Sequence, residues 1–306
     1  LAPNLVPPAS LPQAIALNSI AWQTGSVVGP ALGGFLYAAR ADLPYWLSAA
    51  LLGVASIALS FVKPVRAPEI KGHAHPIQQM IDGLRYVRGH RFLLGAITLD
   101  LFAVLLAGAT ALLPVYARDI LRVGSEGLGL MRAAPALGAA IIAIWFAVRP
   151  LNREVGLKML VAVAVFGALT VAFGFSGSVD KATAHVAPIA VPFLSSGLSV
   201  GMVYALIMLA LLGAADMFSV YIRSSLVQLH TPDAMRGRVS SVGQIAISAS
   251  NELGETQSGF AAALLGPVGA VVFGGVGAIV VTLIWSYIFP EIRGARNFDP
   301  PKELES

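Results

Sequence analysis

The sequence predicts an all-α polytopic membrane protein, and three observations carry that prediction. Of 306 residues, 57% are hydrophobic and 12% are charged, against roughly 25% charged in ordinary soluble domains, and mean hydropathy is +0.77. Eight stretches are apolar over the roughly 20 residues needed to cross a hydrocarbon core about 30 Å thick. Lysine and arginine are concentrated in alternate connections between those stretches. So apolar a chain cannot hide its side chains in one water-excluding core. The bilayer must solvate much of its surface, and helices satisfy every backbone group internally there.

The first span is expected at 11–39 and is uncharged throughout. It contains the run Gly25-Ser-Val-Val-Gly29-Pro30-Ala-Leu-Gly33-Gly34. In water an interior glycine costs a helix about 1 kcal/mol and a proline about 3, but in lipid small residues let helix backbones approach closely. The run therefore reads as a packing and bending surface. The second span is expected at 45–62. The longest polar stretch, 63–91, follows, and its 76–91 portion reads as an amphipathic helix with Ile77, Ile81, Leu84 and Val87 on one side. A surface helix on the cytoplasmic leaflet and a partner-binding helix are its two readings. Further spans are expected at 92–117, 127–148, 157–175, 194–222, 239–265 and 268–289. Pro188 and Pro192 blur the start of the sixth, where a short external helix can intervene.

Orientation follows from the basic residues. The connections 63–91, 149–158 and 223–238 and the C-terminal segment hold 15 lysines and arginines, while the alternate set holds four, Arg40, Arg118, Arg122 and Lys181. The positive-inside bias places the first set, and the C-terminus, in the cytoplasm. A net charge of +4 is thereby explained by topology; no aromatic platform accompanies the basic residues, so nucleic acid is not an expected partner. Cysteine is absent, which removes disulfides and thiolate chemistry.

A shift of 225 residues superposes the first span on the seventh: Ile20, Ala21, Gly29, Gly34, Phe35 and Ala38 meet Ile245, Ala246, Gly254, Gly259, Phe260 and Ala263. Each copy runs from inside to outside and is followed closely by a returning helix. Two parallel six-helix halves would produce this pattern. The expected organisation is 1–62 as the last two helices of one half, 63–91 as a central cytoplasmic loop, and 92–306 as the other half with its tail. The chain opens on Leu1, and the reading is of an N-terminally truncated fragment lacking four helices.

These residues resemble the major facilitator superfamily, and within it the drug/proton antiporters and siderophore exporters. Gly25, Gly29, Pro30, Gly33 and Gly34 match the antiporter motif of the fifth helix, although the glycine expected nine positions before Gly25 is Ala16. The segment Thr231-Pro-Asp-Ala-Met-Arg-Gly-Arg-Val-Ser-Ser-Val242 is similar to the loop before the eleventh helix in the branch of enterobactin and macrolide exporters. The loop 149–158 is similar to the superfamily's charged loop only at Leu151, Gly156 and Lys158. The resemblance implies that the eight spans are helices five to twelve of a twelve-helix fold.

An ionisable group in mid-bilayer costs about 2.5 to 3.5 kcal/mol on insertion scales and is a functional candidate by default. Asp100, Arg132, Asp216, Glu252 and Glu255 stand inside spans. Glu252 and Glu255, three apart, face nearly the same way, and Asn251, Ser248, Gln257 and Ser258 extend their polar surface. One reading lines a central cavity that binds a proton or a cationic substrate; the other is interhelical glue. Asp100 is a proton carrier or the partner of an internal arginine. Arg132 is an anion-binding group or the partner of a buried carboxylate. Asp216 and Arg223 are expected near the cytoplasmic end of their helix, forming a gate or loop network with Arg236, Gly237 and Arg238; substrate contact is their second reading. Asn18 and Gln23 read as interhelical hydrogen-bonding groups.

The five histidines are scattered, and no His-Glu-x-x-His, phosphate loop or Gly-x-Ser-x-Gly elbow appears. No enzyme activity, cofactor or metal is expected. The resemblance implies proton-coupled efflux of a small amphipathic molecule, of drug or siderophore type, across a bacterial inner membrane by a monomeric full-length protein. Import or lipid translocation by the same fold, and a non-transporting receptor or scaffold, are the alternatives.

Overall fold

The structure is a computed structural model that describes residues 11–61, 76–149, 151, 153–189 and 197–298. Its helices are α1 (Leu11–Ala39), α2 (Leu43–Ser60), α3 (Pro76–Gly89), α4 (Arg91–Leu106), α5 (Gly124–Val148), α6 (Val155–Gly174), α7 (Ser176–Ala182), α8 (Val200–Leu229), α9 (Asp233–Ile288) and α10 (Pro290–Gly294). Among the described residues six segments are long and apolar enough to cross a membrane, and α1 coincides with the first expected span. The chain is a multi-pass membrane protein. The side chains of Asn18 and Gln23 lie outside the described residues.

One element departs from expectation, for an identifiable backbone reason. The third span was expected as one helix over 92–117, but α4 ends at Leu106, and the chain continues through a 3-10 turn (Ala109–Leu112) and a π turn (Tyr116–Ile120). Pro114 offers no N–H to the carbonyl at 110, and its ring crowds that position. The seventh and eighth spans are the two arms of α9, which reverses at Gly266 with φ 74 and ψ 164, between the expected bounds 265 and 268. That conformation is open essentially to glycine alone, and Pro267 disfavours a helical residue before it. Smaller differences are at ends: α8 begins at Val200, where the Ser199 hydroxyl accepts from the Met202 N–H at 3.2 Å, and α9 begins at Asp233.

Packing is tight where small residues meet. A side chain on Gly34 of α1 would strike the Ser125 carbonyl and Gly129 Cα of α5, and one on Gly213 of α8 would strike Pro135 of α5. The α9 arm before Gly266 lies on the break after α4: a side chain at Gly254 would meet the carbonyls of Val104 and Leu105. Gly29 and Gly259, which the 225-residue shift pairs with Gly254 and Gly34, meet nothing within 4 Å. α2 buries no residue.

One core cluster holds Tyr116, Phe173, Met131, Met202 and Leu209, and the Tyr116 hydroxyl donates to the Gly174 carbonyl at 3.0 Å. A second holds Leu99, Met159, Ile222, Leu226 and Ile292. There α10 ties the bundle's end together: Arg91 Nε donates to Glu291 Oε1 at 2.7 Å and Arg91 Nη2 to the Ile288 carbonyl at 2.9 Å, while the Gly156 N–H donates to the Ala295 carbonyl at 2.9 Å. The Glu291 carboxylate is held below its usual range by its own backbone N–H and then by Arg91. α3 forms where the amphipathic pattern predicts it. Its Val87, expected beside Ile77, Ile81 and Leu84, instead packs on Val239, and the other three remain exposed.

Candidate functional site

Five polar side chains line one cavity of about 550 Å³: Thr110 from the turn after α4, Asp216 from α8, and Asn251, Glu252 and Glu255 from α9. Its remaining wall comes from the end of α4 at Val104 and Gly108, from Pro135 and Ala139 of α5, and from Leu209 and Gly213 of α8. The local reasons are legible. The break of the α4 helix at Gly108 and the close approach of Gly254 bring the end of α4 and the first arm of α9 together. Residues 251, 252 and 255 then fall on one face of α9. Asn251, Glu252 and Glu255 are open to the cavity side, and Ser258, one turn further on, is buried against Gly108. Gln257 keeps a buried Oε1 without a protein partner among the described residues.

Beside this cavity, Asp100 of α4 and Arg223 of α8 form an ion pair. Both residues are 8% exposed. Leu99, Ala103, Ile222 and Leu226 surround them in the second core cluster, so the two charges are matched where neither could remain alone. Asp100 therefore has the internal arginine that was one of its two expected readings.

Asp216 and Arg223 were expected to join the Arg236-Gly237-Arg238 loop, and the structure separates them from it. Asp216 lines the cavity, and Arg223 binds Asp100. Arg238 instead lies 3.5 Å from Asp82 of α3, Arg236 Nε donates to the Gln228 carbonyl at 3.2 Å, and Gly237 stands in open space. The reason is helix length. α8 continues to Leu229, which leaves Arg223 nearly two turns inside it. Nearby, His230 stacks on Phe92 with ring centroids 4.3 Å apart, and burial pushes its pKa below the ordinary histidine value.

Arg132 does not reach the carboxylates. It lines a separate recess of about 540 Å³ with Gly33, Gly34 and Tyr37 of α1, Tyr45 and Ser48 of α2, and Ser125 of α5. Of the glycine motif, Pro30, Gly33 and Gly34 face that recess, and a side chain on Gly25, Gly29 or Gly33 would meet nothing within 4 Å, unlike one on Gly34.

Ser219 was missed in the sequence. It sits three residues after Asp216 and four before Arg223, a helical spacing that could have flagged it, but a lone serine among apolar residues carries little signal. It is 3% exposed, and its Oγ has no protein partner among the described residues.

The sequence pattern described as the Major Facilitator Superfamily matches residues 1–254. Among curated proteins the chain is similar to several named enterobactin exporter EntS. That of Citrobacter koseri is 25% identical over 306 residues, covering 97% of this chain and 66% of the relative. Those of Shigella boydii and of an Escherichia coli strain are 25% identical over 299 residues with the same coverage. The chain thus spans a little under two thirds of the length of these relatives. No solved structure matches it.

Proposed function

The chain belongs to the Major Facilitator Superfamily, and from that premise we propose that it is the larger part of a secondary transporter exporting a small amphipathic molecule. The observation that carries this is the cavity of Asp216, Asn251, Glu252 and Glu255. Three carboxylates and an amide in one apolar bundle exceed what interhelical glue requires, and intramembrane ionisable groups mark solute and ion paths. The similarity to enterobactin exporters favours efflux over import. It also favours a siderophore-like or drug-like solute, and the inner membrane of a bacterium as the location.

Protons are the coupling ion in this reading. A cavity carboxylate that binds its proton more tightly in one facing state than in the other shifts the population between them, and without that inequality it shifts nothing. Glu252 and Glu255 carry the proton and the solute between them, and Asn251 orients the solute. The halves 1–62 and 92–306, joined by the loop 63–91, rock against each other at the glycine-lined contact of α1 with α5, with the C-terminus in the cytoplasm.

The decisive measurement is solute uptake into inverted vesicles energised by an imposed pH gradient, since their outer face is the cytoplasmic one and export fills the lumen. Glu252→Gln or Glu255→Gln should abolish gradient-driven flux. Undiminished flux in both variants overturns the assignment, and gradient-driven loss of solute from the lumen identifies an importer.

A further inference from the structure

Asp100, Asp216 and Ser219 surround a cavity of about 10 Å³, with Ala103, Val104, Val163 and Phe166 as its apolar walls. That volume is at the lower bound for one water, and a buried water needs two to four polar partners. The site supplies three. Ser219 has the otherwise unpartnered hydroxyl, and a buried hydroxyl left without a partner is costly.

The small cavity shares Asp216, Val104 and Phe166 with the central cavity. It shares Asp100 with a crevice of about 290 Å³ that continues past Arg223 to Gln244 of α9. Three spaces thus follow one another down the face of α8 that carries Asp216, Ser219 and Arg223, at positions i, i+3 and i+7.

We infer that Asp100, Asp216 and Ser219 hold a single bridging water that passes a proton between the central cavity and the Asp100–Arg223 ion pair. The inference rests on the proton-coupled reading above and assigns the coupling path to residues that reading does not use. A proton leaves the Asp216 carboxyl for the water, and the water gives one of its own protons to the Asp100 carboxylate. Asp216 is left charged and Asp100 neutral, so no net charge is created. The partner of Arg223 has then lost its charge, and the nearest new carboxylate is Asp216, two turns away on the same helix. Ser219 is a positioning residue that holds the water in line.

The groups facing Asp216 are Asp100 from α4, Arg223 on α8 itself, and Glu252 and Glu255 across the central cavity. The lining residues from α5 and α6, Pro135, Ala139, Val163 and Phe166, carry no charge. The path is therefore bounded by carboxylates at one end and one arginine at the other.

The test uses the intact protein in proteoliposomes with two readouts, pH-difference infrared spectroscopy and flux. A titrating carboxylic acid band should disappear in Asp216→Asn and shift in frequency in Ser219→Ala. Ser219→Ala should lower proton-driven flux about tenfold while leaving solute counterflow unchanged, and Ser219→Thr should restore both the band and the flux. An identical band in Asp216→Asn and Ser219→Ala overturns the water bridge. So does an equal loss of driven flux and counterflow in Ser219→Ala, which indicates packing alone. If the unaltered protein shows no proton-driven flux, the transport reading fails, and the infrared comparison still decides the water site.

Discussion

Asp100 and Arg223 illustrate how a residue's role is set by what stands opposite it. A buried carboxylate alone is costly to hold; facing a guanidinium it has a charge partner. Removing one partner leaves a buried unmatched charge, at a cost of about 3 to 5 kcal/mol. Arg223→Ala should accordingly lower the thermal midpoint of the purified protein markedly. The double change Asp100→Asn with Arg223→Gln should recover part of the loss, which a melting series would show. His230 makes the corresponding statement about pH. Burial lowers its folded pKa, so the folded state favours the neutral ring that stacks on Phe92 and donates from Nδ1 to the Leu226 carbonyl at 2.9 Å. Its contribution is complete above the unfolded value of about 6.5 and is lost as pH falls from there through the folded pKa. Melting curves of the unaltered protein and of His230→Phe should therefore diverge below about pH 6.5, with the unaltered protein losing stability more steeply.

Among the elements, the reversal inside α9 and the contact of α1 with α5 each depend on one or two glycines. Gly266 has φ 74 and ψ 164, and a side chain there costs on the order of 1 to 3 kcal/mol. Gly266→Ala should lower the melting midpoint without altering helix content by circular dichroism. Gly34 faces the backbone of Gly129, and nothing there can yield as a flexible side-chain tip would. Gly34→Leu should separate α1 from α5, destabilising by about 1 to 3 kcal/mol through overpacking. Gly29→Leu, where nothing lies within 4 Å, should be nearly neutral in the same melting assay. An equal effect at both positions would show that the contact is not what the motif serves here.

At the scale of the molecule, α1 and α5 belong to different halves of the proposed transporter, so their contact is a place where rocking can be arrested. The chain has no cysteine, and a cysteine pair introduced on α1 and α5 flanking Gly34 and Gly129 can cross-link only with itself. Oxidation should stop flux and reductant should restore it. Flux that persists through complete cross-linking would mean that the halves do not move there.

Much of this organisation was legible in the sequence. Spans follow from hydropathy because lipid rewards apolar length whatever the neighbours are. The amphipathic α3 followed from helical periodicity, and the pairing of Glu252 with Glu255 from spacing alone. The reversal at Gly266-Pro267 falls where the spans 239–265 and 268–289 meet, whereas Pro114 at the break after α4 is a local signal that an apolar window averages away. The remaining differences are of another kind. Asp216 and Arg223 lie seven residues apart on one helix, and nothing local tells that the first opens to a cavity while the second turns to α4. Composition, span pattern and glycine run together determined that this is a helical membrane protein and which family it resembles, because those properties depend on the chain and its solvent. Tertiary structure alone decided which charges meet, placing Asp100 on Arg223, Arg132 in its own recess, and Ser219 between two carboxylates. Electrostatic partnership depends on distances across helices that no sequence interval encodes.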